Sequence, residues 1–76
     1  MLIIYVLKNC PKCKILTKYL NSLGIHYEER DAQEYVKMLM SKGFFTAPVL
    51  QIDNEFLNFI SINGLILILR ERGYQV

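Results

Sequence analysis

Apolar residues along this chain fall either in unbroken runs or at helical spacing. Leu2-Ile3-Ile4-Tyr5-Val6-Leu7 is a continuous apolar run rich in β-branched and aromatic side chains. It predicts a strand covered on both faces. From Cys13 to Leu23 the apolar positions Ile15, Leu16, Tyr19, Leu20 and Leu23 recur with helical period, and Gly24 supplies the stop after them. Ile25 to Arg30 predicts a second, shorter and more polar strand. A strand, a helix and a strand within residues 2–30 make a βαβ unit with a parallel pair.

Asp31 followed by Glu34 predicts the N-terminus of a second helix whose apolar face holds Tyr35, Val36, Leu39 and Met40, closed by Gly43. Val49 to Ile52, the turn residues Asp53-Asn54, and Phe56 to Ile60 form a hairpin pattern. A last helix is expected from Ser61 or Asn63 to Arg72, ended by Gly73. Its run Leu65 to Leu69 is apolar all round, so one side packs on the sheet and another meets a loop or partner. The sum is an α/β fold of βαβ followed by αββα, a single domain over residues 1–76.

With 53% hydrophobic and 21% charged residues in 76, the chain has the make-up of a small folded domain and not of a disordered one. Such a domain buries only about 60% of the surface its unfolded chain exposes, so its core is thin. No apolar stretch approaches the roughly 18 residues a membrane-spanning helix requires. The opening run lacks a basic segment before it and a small-residue cleavage site after it, so the expected compartment is the cytoplasm. Nine Lys and Arg against seven Asp and Glu leave +2, too little to suggest nucleic acid as a partner. A monomer is expected.

The two cysteines, Cys10 and Cys13, lie three apart and span no framework. In a compartment that keeps thiols reduced, such a pair points to catalysis or metal binding. Cys10-Pro11-Lys12-Cys13 falls where the first strand ends and the first helix begins. The first turn of a helix presents unpaired N–H groups and the positive end of the macrodipole, which favour a thiolate, the nucleophilic form. Pro11 suits the first helical position. Cys13 returns to the same face, within reach of a disulfide to Cys10. Lys8, Lys12, Lys14 and Lys18 are the only charged residues between positions 8 and 18, so the small net charge conceals a local +4. Lys8 and Lys12 flank the thiol and are candidates to activate it; Lys14 and Lys18 read equally as a solvated helix face.

Other uses of the pair stay open on these residues alone. A zinc site needs about four ligands, and the one other good candidate is His26, in a predicted strand. Two independent buried cysteines, or a metal or iron–sulfur cluster bridging two subunits, are further alternatives. A non-catalytic binding module is the competing class, supported by the apolar last helix and by Phe44 and Phe45, of which one is expected in the core.

Lys8-Asn9-Cys10-Pro11-Lys12-Cys13-Lys14, then Thr46-Ala47-Pro48, in this order of elements, resemble a glutaredoxin over essentially the whole chain. The resemblance implies a thioredoxin-like fold, a four-stranded mixed sheet flanked by three helices. It implies a cis bond before Pro48, and an Ala47 whose backbone pairs with an extended disulfide substrate. It implies a dithiol oxidoreductase in which Cys10 attacks a disulfide and the more buried Cys13 resolves the intermediate. No bound cofactor or metal is implied. Glutathione, as co-substrate, is held in the family by a lysine matching Lys8, by the segment matching Thr46-Ala47-Pro48, and by a Gly-Gly-x-Asp motif. That motif is absent here: Phe59-Ile60-Ser61-Ile62-Asn63-Gly64 has one displaced glycine and no aspartate. Ser61 or Asn63 can still serve a carboxylate at the helix start. The glutaredoxin-like hydrogen donors of ribonucleotide reductase, recharged by thioredoxin reductase, are a second branch of similar length. Partners implied are therefore a disulfide-containing protein, with glutathione or thioredoxin reductase as the source of electrons.

Overall fold

The computed structural model describes residues 1–76 as β1 (Leu2–Val6), α1 (Pro11–Ser22), β2 (Glu28–Asp31), α2 (Val36–Ser41), β3 (Val49–Ile52), β4 (Glu55–Leu57) and α3 (Ile62–Glu71). The four strands form one mixed sheet in the order β2-β1-β3-β4. The β1–β2 pair is parallel, and β3 is antiparallel to both β1 and β4.

The apolar run of β1 divides between two cores because successive side chains of a strand point to opposite faces. Leu2 and Ile4 join Leu16 and Leu20 of α1, Leu50 and Ile52 of β3, and Leu65 and Leu69 of α3. Ile3 and Tyr5 face the other way, toward Ala32, Leu39 and Val49. One sheet thus separates α1 and α3 from α2. The Tyr5 hydroxyl, carried into the smaller core, donates to Gln51 Oε1 at 2.6 Å and accepts from Arg30. A buried phenol therefore keeps its polar tip satisfied.

Several boundaries differ from those the pattern predicts. Helix α1 begins at Pro11, two residues before the apolar periodicity starts, because Cys10 caps it. It ends as expected, with Gly24 at φ 69° and the Ile25 N–H returning to the Leu20 carbonyl at 3.1 Å. Strand β2 starts only at Glu28, and His26 is exposed in the connection before it. Asp31 ends β2 and makes a local turn, its carboxylate accepting from Gln33 N–H, so α2 waits until Val36. Of the apolar face expected for α2, only Leu39 is buried; Val36 and Met40 stay nearly half exposed. Strand β4 stops at Leu57, and Ile60, expected inside it, is 93% exposed. Phe44 packs against the smaller core while Phe45 is 71% exposed, so one of the pair is core as expected. Leu67 is the exposed residue of the α3 run.

Strand direction gathers the chemistry at one end of the sheet. Val6, the last residue of β1, lies beside Asp31, the last of β2. Val49, the first of β3, pairs with Tyr5 near the end of β1, which brings Pro48 to the same edge. Strand β4 runs antiparallel to β3 and delivers Asn58 and Phe59 there as well. No helix is long and apolar enough to cross a membrane.

Candidate active site

The loop from β1 to α1 turns through Asn9, at φ 57°, and sets Cys10 in extended conformation as the N-cap of α1. Asparagine is among the few non-glycine residues that enter this left-handed region readily. The Cys10 sulfur accepts from the Cys13 backbone N–H at 3.2 Å. Pro11 occupies the first helical position, where no N–H is missed. A sulfur thus takes the place of the usual capping oxygen and receives one of the helix's free donors. The two cysteines are free thiols, Cys10 partly accessible and Cys13 buried.

Burial pushes the Cys13 thiol up to about 11, helped by its hydrogen bond to the Cys10 sulfur and by the charges of Cys10 and Glu29. The Leu7 backbone opposes this with a hydrogen bond that favours the thiolate. At neutral pH Cys13 is accordingly a protonated, sheltered thiol behind a more accessible one. Glu29 reaches it across a small cleft of about 110 Å³ that Thr17 and Lys14 also line.

The bond between Ala47 and Pro48 is cis, as the resemblance implies. Pro48 is buried, and its carbonyl accepts from the Asn58 side-chain amide at 3.1 Å. Thr46 and Ala47 instead edge an apolar groove of about 480 Å³ that reaches Leu7 at the end of β1. Lys8 lines a separate cleft with Glu29, Arg30 and Asp31, where two carboxylates offset the two cations. Leu7 borders all three hollows, so the residue before Lys8 is the hub of this end of the sheet.

Lys12, expected beside the thiol, is held by contacts to the connection after β4. Its ammonium donates to the Phe59 carbonyl at 2.8 Å and sits 5.1 Å from the centre of the Phe59 ring. Ser61 caps α3, its hydroxyl accepting from Gly64 N–H at 3.2 Å, and Asn63 is exposed in the first turn of that helix. Sequence reasoning missed Asn58, Phe59, Glu29 and Leu7. Nothing local signals the first three, since each meets its partner only through the strand pairing. Leu7 was legible as the last apolar residue before the motif.

A model of the glutaredoxin family matches residues 2–57. Two crystal structures resemble the fold, one of the thioredoxin-like protein BC3987 and one of a mutant of it. The mutant is 25% identical with TM-score 0.76, covering 91% of this chain and 94% of that one. The other is also 25% identical, with TM-score 0.74, covering 91% of this chain and all of that one. No curated protein matches the chain.

Proposed function

The chain belongs to the glutaredoxin family, and from that premise we propose that it reduces protein disulfides through Cys10 and Cys13 as a dithiol thiol–disulfide oxidoreductase. The observation that carries the reading is the capping geometry. Cys10 sits at the positive end of α1 with the Cys13 N–H on its sulfur, while the Cys13 thiol is buried behind it.

Two displacements follow. The Cys10 thiolate attacks one sulfur of the target disulfide. That bond breaks, the departing sulfur leaves as a thiolate and takes up a proton, and a Cys10–target disulfide forms. Cys13 then gives up its proton and attacks the Cys10 sulfur, expelling the second target thiolate and closing Cys10–Cys13. Two electrons have passed from the pair to the target. An external thiol source returns them, either two glutathione molecules or thioredoxin reductase. Ala47, just before buried Pro48, offers its backbone to the extended substrate. Lys8 and the start of α3, with Ser61 and Asn63, are the groups available to the carboxylates of glutathione.

The test is turnover of an insulin-type protein disulfide with glutathione plus its reductase, and separately with thioredoxin reductase and NADPH. Turnover with either is expected, and the system that supports it identifies the reductant. Cys10→Ser is expected to lose all activity, and Cys13→Ser to accumulate the mixed disulfide, visible by mass spectrometry. Undiminished reduction by Cys10→Ser would end the assignment.

A further inference from the structure

We propose that Glu29 is the base that accepts the Cys13 proton when that thiol attacks the Cys10–target disulfide. This assignment rests on the oxidoreductase reading above and gives its second displacement a proton acceptor.

Cys13 is only 3% exposed, so bulk water scarcely reaches its thiol. Cys10, which holds a free thiol at the outset, is in disulfide linkage by this step and no longer accepts a proton. The cations at this end of the sheet, Lys8, Lys14 and Arg30, have no lone pair to offer. Glu29 is the one acidic residue that lines the cleft of about 110 Å³ shared with Cys13. A carboxylate is ionised at neutral pH and serves as a base within hydrogen-bond reach or through one water. Thr17 lines the same cleft, and its hydroxyl donates to the Lys14 carbonyl at 3.1 Å, which leaves its oxygen free to accept from such a water.

Strand geometry singles out Glu29 among its neighbours. Glu29 pairs in register with Ile4, whose side chain lies in the core beneath α1, so Glu29 points to the α1 side as well. Glu28 and Arg30 alternate to the other face, where they pair with each other and Arg30 reaches the Tyr5 hydroxyl. Asp31 lines the adjoining cleft with Lys8, Glu29 and Arg30, and its carboxylate accepts from Gln33 N–H. Glu29 makes no ion pair; Lys14 is the cation that shares its cleft with Cys13. Because β2 is an edge strand, Glu29 is also exposed. It thus stands between a buried thiol and solvent. The Cys13 proton moves to the Glu29 carboxylate as the Cys13 sulfur bonds to the Cys10 sulfur. The Cys10–target bond breaks, its electron pair leaves on the target sulfur, and Glu29 returns the proton to water.

Burial and the Cys10 hydrogen bond hold the Cys13 proton on, and the charge of Glu29 adds to them. As a charge alone, Glu29 slows resolution and its removal speeds it; as a base, its removal slows it. The two roles differ in sign. Pre-reduced protein mixed with one equivalent of dithiobis(nitrobenzoate) in stopped flow separates the steps. One coloured thiolate is released when Cys10 attacks and the second when Cys13 closes the disulfide, so Cys13→Ser gives only the first. Glu29→Gln is expected to leave the first phase little changed and to slow the second about a hundredfold at pH 7, the low end for general-base catalysis. Glu29→Asp is expected to recover part of the loss. As pH rises, hydroxide takes the Cys13 proton directly and the deficit of Glu29→Gln should close. A second phase that is unchanged or faster in Glu29→Gln overturns the assignment. So does a deficit that is the same at every pH, or one shared equally by both phases. A wild-type protein that releases no second thiolate overturns the dithiol reading and this inference with it.

Discussion

The ammonium of Lys12 and the carbonyl oxygen of Phe59, 47 positions apart in sequence, meet at 2.8 Å and tie the first turn of α1 to the connection between β4 and α3. The same ammonium rests against the Phe59 ring. Lys12 therefore braces the start of α1 against that connection. Lys12→Met is expected to lower stability by about 1 kcal/mol, the scale of a charged hydrogen bond at a partly solvated site. Urea titration checks the loss. The midpoint should fall with an unchanged slope, since the surface exposed on unfolding is the same.

Cys13 makes stability depend on alkaline pH. Its thiol is raised to about 11 in the folded protein, above the ordinary value of about 9. Below about pH 9 it is protonated in both states and contributes no pH dependence. Between about pH 9 and pH 11 the unfolded chain loses this proton while the folded chain keeps it, so stability falls as pH rises. Urea midpoints measured from pH 8 to pH 11 should decline more steeply for the wild type than for Cys13→Ala.

That elevation also depends on the state of Cys10, which raises it both by hydrogen bonding and by charge. Once Cys10 is joined to a target, both contributions disappear and the Cys13 thiol becomes more acidic. The resolving nucleophile is thereby readied by the first displacement. Capping Cys10 with iodoacetamide is expected to shift the Cys13 titration, followed by thiolate absorbance in the ultraviolet, below the value of the free dithiol. An unshifted or raised titration contradicts this coupling.

Both cores are small, so single truncations weigh heavily. Leu16 and Leu65 are fully buried on the α1–α3 side of the sheet. Leu16→Ala or Leu65→Ala is expected to cost about 2–5 kcal/mol through lost burial and the cavity left behind. A domain of this size has only about 4–11 kcal/mol in total. Leu67→Ala, on the exposed side of the same helix, is expected to change stability by less than about 0.5 kcal/mol. Thermal unfolding of the three variants separates them.

What was legible in the sequence was local chemistry. Pro11 and Cys10 at a helix start, Gly24 at its end and the two-residue turn at Asp53-Asn54 all act over a few residues, and each stands where its type predicts. The cis bond before Pro48 came from family resemblance. Contacts made through strand pairing were not legible. Lys12 reads as a neighbour of the thiol, and its contact with Phe59 becomes visible only once β4 is placed. Val36 and Met40 read as core because helical spacing reports a shared face without saying what covers it. Here that face borders a groove. Asp31 reads as a helix cap, yet its local turn delays α2 until Val36.

Asn58 shows what such a hidden contact does for the site. Its amide donates to the carbonyl of Pro48 at 3.1 Å, holding the residue that follows Ala47 from beyond the end of β4. Asn58→Ala removes this donor from the Pro48 carbonyl, at a cost of about 0.5–1.5 kcal/mol for a hydrogen bond that water can partly replace. Asn58→Asp removes the donor and sets a carboxylate against the carbonyl, so it should be worse than Ala, and increasingly so above the carboxylate's titration. Because Thr46 and Ala47 receive the substrate strand in the proposed function, a loosened Pro48 should act on binding more than on chemistry. Steady-state reduction of a protein disulfide should then show KM rising severalfold with a smaller change in kcat. A fall confined to kcat would instead place the effect of Asn58 at the cysteine pair.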